Sequence, residues 1–151
     1  MSDFLAGKSV RKLTKGMRTV SASQAVTNAT VDVFNIVGGR VFVHQILGRV
    51  TTEVGAGATN CRLTINPTGA AATNLCANLD IDGAAADTIL GITGTAANAL
   101  TSSTQLLASQ ATELMLPAGV IEMITSADRD GAITWEVFYT PIDDGAHITA
   151  A

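Results

Sequence analysis

The chain has 151 residues, the length of one ordinary domain, and 47 % of them are hydrophobic, which is enough apolar material for a sizeable core. This apolar content is too high, and the net charge of −4 too small, for a disordered chain, while no stretch approaches the roughly 18 consecutive apolar residues of a membrane-spanning helix. Charged residues make up only 15 %, against about 25 % in a typical soluble domain, and a surface so poor in charge favours burial against a partner.

The charge is distributed unevenly, because a basic N-terminal segment precedes an acidic body. Residues 1–18 contain five basic residues and one acid, a net charge of +4, whereas residues 19–151 contain four arginines and twelve carboxylates, a net charge of −8. The five basic residues are Lys8, Arg11, Lys12, Lys15 and Arg18. We expect them to contact a partner surface; a solvated, frayed terminus is the alternative. The acidic body would repel a phosphate backbone, so no direct nucleic-acid partner is expected.

The same segment has the pattern of a short amphipathic helix. Val10, Leu13 and Met17 fall on one side at helical spacing, while Gly7 and Gly16 limit the helix to a short one. So short a helix is marginal alone, and we expect it to become ordered against a partner. The segment lacks the apolar run of a secretory signal, and its apolar side is small for a membrane-surface helix. No membrane partner is therefore expected.

The body begins with two segments typical of β-strands. Residues 31–37 are rich in β-branched and aromatic side chains, and residues 40–54 form a longer run whose first half is apolar on both faces. Gly38-Gly39 between them predicts a tight hairpin turn, since glycine readily supplies positive φ. Gly48 is expected to mark a bulge or bend within the long strand.

Two further strands are predicted at 60–66 and 75–82, where apolar and polar residues alternate on either side of the loop 67–74. If these strands form a hairpin, Cys61 and Cys76 lie several residues apart along the ladder, too far for a disulfide bond. Two cysteines also fall short of the roughly four ligands of a zinc site. Reduced, packed thiols fit a protein made in a reducing cytoplasm.

The C-terminal third again shows regular alternation, after a stretch at 84–112 whose clearest strand signal is the short run 89–92. Strands are predicted at 120–125 and 133–140, and the loop 126–131 between them has the composition of a hairpin connection.

Seven to nine short strands with regular turn signals favour an all-β fold over βαβ units. We expect a single antiparallel β-sandwich or β-barrel, jelly-roll-like, with an extended basic N-terminal arm. The arm is assigned to residues 1–20 and the β domain to residues 21–151.

The sequence contains few signals of catalysis. The two histidines, His44 and His147, lie outside any GxSxG, HExxH or glycine-rich phosphate-binding motif. A triad whose members converge only in space stays open, but a lone strand histidine such as His44 is typically a packed or surface residue. No catalytic residue, no cofactor and no enzymatic activity are therefore expected.

Two Asp-x-Asp-Gly sequences, at 80–83 and 128–131, resemble the start of a calcium-binding loop. Neither continues with the third oxygen position or the closing glutamate of an EF-hand. Asp and Gly are also the preferred residues of hairpin turns, so we interpret both sequences as turns and expect no metal site.

Three segments resemble small structural proteins of tailed bacteriophages, namely the head decoration or cement proteins. They are VFNIVGGRVFVHQILGRVTT at 33–52, ATNCRLTINPTG at 58–69 and LPAGVIEMITSADRDGAITWEVFYTPIDDGA at 116–146. The resemblance covers most of residues 31–146 and leaves the basic arm outside. It is carried by spaced glycines, prolines and strand residues, and it transfers no catalytic residue.

The resemblance implies a virion protein, made in the host cytoplasm, that binds the outer surface of an assembled capsid and reinforces it. The implied partners are the major capsid protein and further copies of this chain, in a homotrimer. A mobile basic arm could then reach an adjacent capsid subunit and add affinity through effective concentration. One alternative is a tail-tube, head–tail connector or fibre-associated protein. Another is a small ligand- or carbohydrate-binding β-sandwich, which predicts a pocket with converging polar groups around His44 or Trp135.

Overall fold

The computed structural model describes residues 7–151, except that the side chains of Lys8 and Arg11 lie outside the described part. About half of these residues lie in strands, and one short segment is helical. The helix and strands are, in chain order, α1 (Gly7–Lys15), β1 (Met17–Ala25), β2 (Thr30–Val37), β3 (Val41–Thr52), β4 (Asn60–Pro67), β5 (Thr73–Asn74), β6 (Leu79–Asp80), β7 (Ile89–Gly91), β8 (Thr101–Ser103), β9 (Leu114–Leu116), β10 (Gly119–Thr125), β11 (Ala132–Pro141) and β12 (His147–Ala150).

The strands form two antiparallel sheets that pack together, which confirms the predicted all-β sandwich. Sheet A has the order β1-β11-β3-β7-β8, with β9 also paired to β3. Sheet B has the order β12-β2-β10-β4-β5, with β6 also paired to β4. The longest strands, β3 and β11, lie side by side in the middle of sheet A and fix its register.

The core lies between the two sheets and is built from the alternating residues of the long strands. In β11 the inward residues Ile133, Trp135, Val137 and Tyr139 are all buried, as period-two alternation predicts. The Trp135 ring reaches across to sheet B, where its Nε1–H donates a hydrogen bond to Met123 Sδ at 3.4 Å. This pairing satisfies the one polar atom of the largest buried side chain.

The bulge predicted at Gly48 is wrong, because the two irregularities in the pairing of β3 with β11 lie at His44 and at Thr51. Gln45 pairs with Phe138 and Val43 with Tyr139, which leaves His44 as the extra residue. Gly48 instead lies in regular register opposite Trp135. A Cβ on Gly48 would lie only 2.8 Å from the Trp135 ring, so the close approach of this ring requires glycine there.

Two of the predicted hairpin connections link strands of different sheets. Gly38-Gly39 joins β2 of sheet B to β3 of sheet A, and the loop 126–131 joins β10 of sheet B to β11 of sheet A. The two glycines still adopt positive φ, 82° at Gly38 and 141° at Gly39. The chain turn is thus where the sequence predicts it, but the strands that it joins do not pair with each other.

The predicted strand 75–82 is wrong over most of its length, because only β6 (Leu79–Asp80) falls within it and β5 (Thr73–Asn74) lies in the predicted loop 67–74. Both short strands pair with β4. Cys61 pairs with Leu79 in this ladder. Cys76 lies between β5 and β6, where its Sγ accepts the Leu63 N–H at 3.3 Å. Both cysteines are buried and free, and no disulfide joins them.

We expect both thiols to resist alkylation and disulfide-exchange reagents in the native protein at mildly alkaline pH. Burial raises the pKa of Cys61 to about 12, and burial is also the main cause of the raised pKa of Cys76. The thiolate is the reacting species, so labelling requires unfolding. Time-resolved labelling with and without denaturant measures this, and fast labelling of the native protein would contradict it.

The raised pKa of Cys61 also makes the stability of the folded protein depend on pH in the alkaline range. The unfolded chain loses the Cys61 proton near the ordinary thiol pKa, whereas the folded chain holds it up to about 12. The free energy of unfolding therefore falls as the pH rises between these two values.

The N-terminal segment departs from the assigned boundary at residue 20. The helix α1 ends at Lys15, Gly16 takes a φ of 80°, and β1 begins at Met17. Residues 17–20 pair with residues 136–139 of β11 and so belong to sheet A. The small polar residues of β1 carry little alternation, which is why this strand is missing from the sequence prediction.

Candidate functional site

One outer sheet surface carries a group of exposed or half-exposed apolar side chains. We call it the outer face of sheet A, and its apolar members are Val20, Phe42, Leu47, Met115 and Phe138. Phe42 and Met115 are register partners on β3 and β9, with exposed fractions of 39 % and 54 %. An apolar group on an otherwise polar surface is typical of a contact site for another macromolecule.

A recess of about 510 Å³ opens beside this face at the bulge of β3. Its lining includes His44 and Gln45 of β3, Gln110 and Glu113 of the loop between β8 and β9, and Lys15 of the arm. The bulge pushes His44 out of the regular ladder and so brings its imidazole to the surface of the recess.

The imidazole of His44 is held by hydrogen bonds on both nitrogens. Nδ1 lies 2.8 Å from Glu113 Oε1, and Nε2 lies 2.6 Å from Thr140 Oγ1. With Glu113 ionised and the imidazole neutral, Nδ1–H donates to the carboxylate and Nε2 accepts the threonine hydroxyl proton. The order carboxylate, imidazole, hydroxyl is that of a nucleophilic triad, but the arrangement also ties β3, β11 and the segment before β9 together.

Gln110 completes the edge of β3 at the bulge. β9 pairs with Val41–Val43 and β7 with Leu47–Arg49, so among residues 7–151 no strand pairs with the edge between them. The buried Gln110 amide fills this gap. Its Oε1 accepts the Ile46 N–H at 3.3 Å, and its Nε2 donates to the Val43 carbonyl at 3.4 Å and the Thr112 carbonyl at 2.7 Å.

The sequence singled out His44 but missed its partners. Glu113 and Thr140 lie 69 and 96 residues away along the chain, so no local spacing joins them to His44. The ligand-binding alternative predicts polar groups near His44 or Trp135. Polar groups do converge at His44, whereas Trp135 is wholly buried.

The predicted contact residues of the arm lie on α1 and β1. Lys12 and Lys15 are exposed, and Lys15 borders the His44 recess. Arg18 Nε binds Glu136 Oε2 at 2.8 Å, and this hydrogen bond raises the pKa of Arg18 above its ordinary value. The side chains of Lys8 and Arg11 lie outside the described residues. That these five residues contact a capsid stays a prediction.

Three of the four Asp-x-Asp-Gly carboxylates accept backbone N–H groups. Asp80 Oδ1 accepts the Asp82 N–H at 3.1 Å, the local bond of a turn residue. The other bonds join neighbouring loops: Asp80 Oδ1 accepts the Thr59 N–H at 2.8 Å, Asp82 Oδ1 the Gly57 N–H at 2.6 Å, and Asp128 Oδ1 the Asn28 N–H at 2.8 Å. Across residues 7–151, with two side chains excepted, no three His, Cys, Asp or Glu residues are grouped so that they could hold a metal ion.

Comparison with protein-family models, with curated proteins and with solved structures finds no match to this chain. Within the described part of the chain, no helix has the length and apolar character needed to cross a membrane. The fold therefore defines the class, an all-β sandwich, and the function rests on the residues themselves.

Proposed function

We propose that this chain is a non-enzymatic structural protein of a bacteriophage virion, which binds the outer surface of the capsid and stabilises it. The observation that carries the proposal is the exposed apolar group on the outer face of sheet A, centred on the adjacent Phe42 and Met115. The sequence resemblance to head decoration proteins supplies the identity of the partner, the major capsid protein.

The composition of the same face suits a repeated contact on a symmetric shell. The outer face of sheet A also carries uncharged or internally paired groups, such as Thr140 opposite Phe42, Gln45 opposite Phe138, and the Arg18–Glu136 ion pair. Hydroxyl and amide groups contribute hydrogen bonds without the desolvation penalty of burying unpaired charges. Many copies on one lattice then turn a weak single contact into a large total stabilisation.

The proposal is tested by adding the purified protein to capsids of the encoding phage that lack it. We expect the protein to bind and to raise the melting temperature of the shells. Replacing Phe42 and Met115 together by serine removes apolar contact area, and we expect binding to weaken roughly tenfold or more, which corresponds to about 1.4 kcal/mol.

The matched control is Val37→Ser. Val37 is exposed to a similar degree, 45 %, but lies on β2 of sheet B. Equal loss of binding in Val37→Ser and in the double variant would contradict the assignment of the face. Absence of the protein from virions and failure to bind shells would overturn the function, while a single ring of copies per particle would assign the chain to the connector or tail.

A further inference from the structure

Aspartate is followed directly by glycine at three places in the chain, namely 82–83, 130–131 and 144–145. This dipeptide is prone to rearrange, because glycine has no side chain to shield its backbone nitrogen from the preceding carboxyl group. The nitrogen can attack the carboxyl carbon and close a five-membered succinimide ring. Two conditions must hold: the carboxyl group is free, and the peptide between the two residues can rotate. The three places differ in both conditions.

Asp144 and Gly145 form the tip of the turn between β11 and β12. The Ala146 N–H donates to the Asp143 carbonyl at 3.0 Å and closes the turn, and Gly145 has a φ of 82°. Both tip residues are exposed. Among the described residues, no hydrogen bond holds the Asp144 carboxylate, the Asp144 carbonyl or the Gly145 N–H. The peptide at the tip can therefore rotate without breaking a bond within the protein.

The rest of this turn is held on both sides of the tip. Asp143 accepts the Arg40 N–H at 2.7 Å and the Arg40 Nη2–H at 2.7 Å. His147 Nδ1–H donates to the Gly145 carbonyl at 2.9 Å. A Cβ on Gly38 would lie only 2.6 Å from the oxygen of that carbonyl, so the two backbones are in close contact. The freedom to rotate is thus confined to the single peptide at the tip.

The turn at Asp82-Gly83 is built in the same way but has a bound carboxylate. The Ala84 N–H donates to the Ile81 carbonyl at 3.1 Å, and Gly83 has a φ of 60°. Here, however, Asp82 Oδ1 accepts the Gly57 N–H at 2.6 Å. A hydrogen bond to an ionised carboxylate is among the stronger ones, and it must break before the carboxyl carbon can be attacked.

At Asp130-Gly131 the backbone itself is fixed. The Asp130 carbonyl accepts the Gly55 N–H at 2.8 Å, and the Gly131 carbonyl accepts the Val26 N–H at 3.2 Å. A Cβ on Gly131 would lie 2.9 Å from the Val54 Cα, so this segment is packed closely against its neighbour. The peptide between the two residues cannot rotate unless these contacts are lost.

We propose that Asp144 is a site of spontaneous isomerisation in the folded protein, and that the fold protects the other two Asp–Gly pairs. The Gly145 nitrogen loses its proton and bonds to Cγ of the protonated Asp144 carboxyl group, whose C–OH bond breaks so that water leaves. Water then adds to one of the two ring carbonyls. Cleavage of the new C–N bond restores aspartate, and cleavage of the original C–N bond gives isoaspartate. The reaction needs only water and the folded chain, so it does not depend on the proposed function.

Isoaspartate would add one methylene carbon to the main chain at the tip of the turn. The lengthened turn could not keep both its closing hydrogen bond and the close contact of Gly145 with Gly38. The strand that follows, β12, lies at the edge of sheet B and pairs with β2. Loss of the turn should therefore loosen β12, with faster amide hydrogen exchange at Ile148 and a lower melting temperature of the isomerised protein.

The test incubates the full-length protein, native or denatured, at mildly acidic pH in water enriched in oxygen-18. Hydrolysis of the ring adds one heavy oxygen, so mass spectrometry of proteolytic peptides measures the reaction at each of the three places, and fragmentation distinguishes isoaspartate from aspartate. Asp144→Glu blocks the reaction, because glutamate would have to close a six-membered ring, which is far slower. Asp82→Glu, the same change in the turn with the bound carboxylate, is the matched control.

In the native protein we expect Asp144 to react roughly tenfold or more faster than Asp82, whose charge-assisted hydrogen bond must break first, and faster than Asp130. In denaturant the three rates should converge. Asp144→Glu should remove most of the native reaction and Asp82→Glu little of it. Equal native rates at Asp144 and Asp82, a difference that persists in denaturant, or an unreacted native Asp144 where the denatured chain reacts would each overturn the proposal.

Discussion

Gly48→Ala is expected to lower the free energy of unfolding by about 1–3 kcal/mol, the usual range for overpacking a well-filled core. The added methyl carbon would lie 2.8 to 3.0 Å from three ring atoms of Trp135. The ring has no exposed surface and is held by its hydrogen bond to Met123, so it cannot move aside freely. The φ of Gly48 is not positive, and alanine can adopt it, so the loss is steric and not conformational.

Denaturant unfolding of a double-mutant cycle measures this effect. In a Trp135→Leu background, itself destabilised, the ring is gone and Gly48→Ala should cost clearly less than in the wild type. Gly7→Ala is the control, because no atom of the described part of the chain lies within 4 Å of a Cβ at Gly7 and alanine favours a helix. An equal loss in both backgrounds would show that the Trp135 ring is not the cause.

The strands of the core could be predicted because their inner and outer residues alternate strictly. β11 alternates over its whole length, and β10 buries Ile121 and Met123 in the same manner. In such a strand the alternation of apolar and polar residues by itself predicts which side chains are buried, so the neighbouring strands need not be known.

The pairing of the strands could not be predicted in the same way. Gly38-Gly39 and the loop 126–131 are good turn sequences, but a turn signal says only that the chain reverses direction. Whether two strands then pair or face each other depends on which arrangement buries their apolar sides. β2 and β3 each carry buried residues on one side, and placing them in opposite sheets lets both sides share one core.

The arrangement of side chains around His44 could not be predicted from the sequence either, because it also depends on how the strands pair. The bulge at His44 arises from a register difference between β3 and β11, which neither strand encodes alone. Glu113, Thr140 and Gln110 become its neighbours only through the fold. Among these three residues Gln110 has the clearest structural role, because its amide binds the backbone edge of β3 where β7 and β9 do not reach.

Gln110→Ala is therefore expected to lower the free energy of unfolding by about 1–3 kcal/mol, the cost of leaving buried backbone groups unpaired. Gln110 is 8 % exposed, and its side chain binds the Ile46 N–H and the Val43 and Thr112 carbonyls. Water can replace these bonds only if the loop over the bulge opens. Amide hydrogen exchange at Ile46 should accordingly become faster than in the wild type.

Gln110→Met separates the hydrogen bonds from the volume of the side chain, because it keeps the size and removes the amide. We expect it to be destabilised nearly as much as Gln110→Ala, whereas Gln105→Ala in the same loop, at an exposed glutamine, should change little. A Gln110→Met protein as stable as the wild type would mean that packing, and not the amide, holds the loop. If the amide does hold it, Gln110 also fixes the segment that carries Glu113 to His44, so the variants should alter the outer face of sheet A beside Phe42 and Met115.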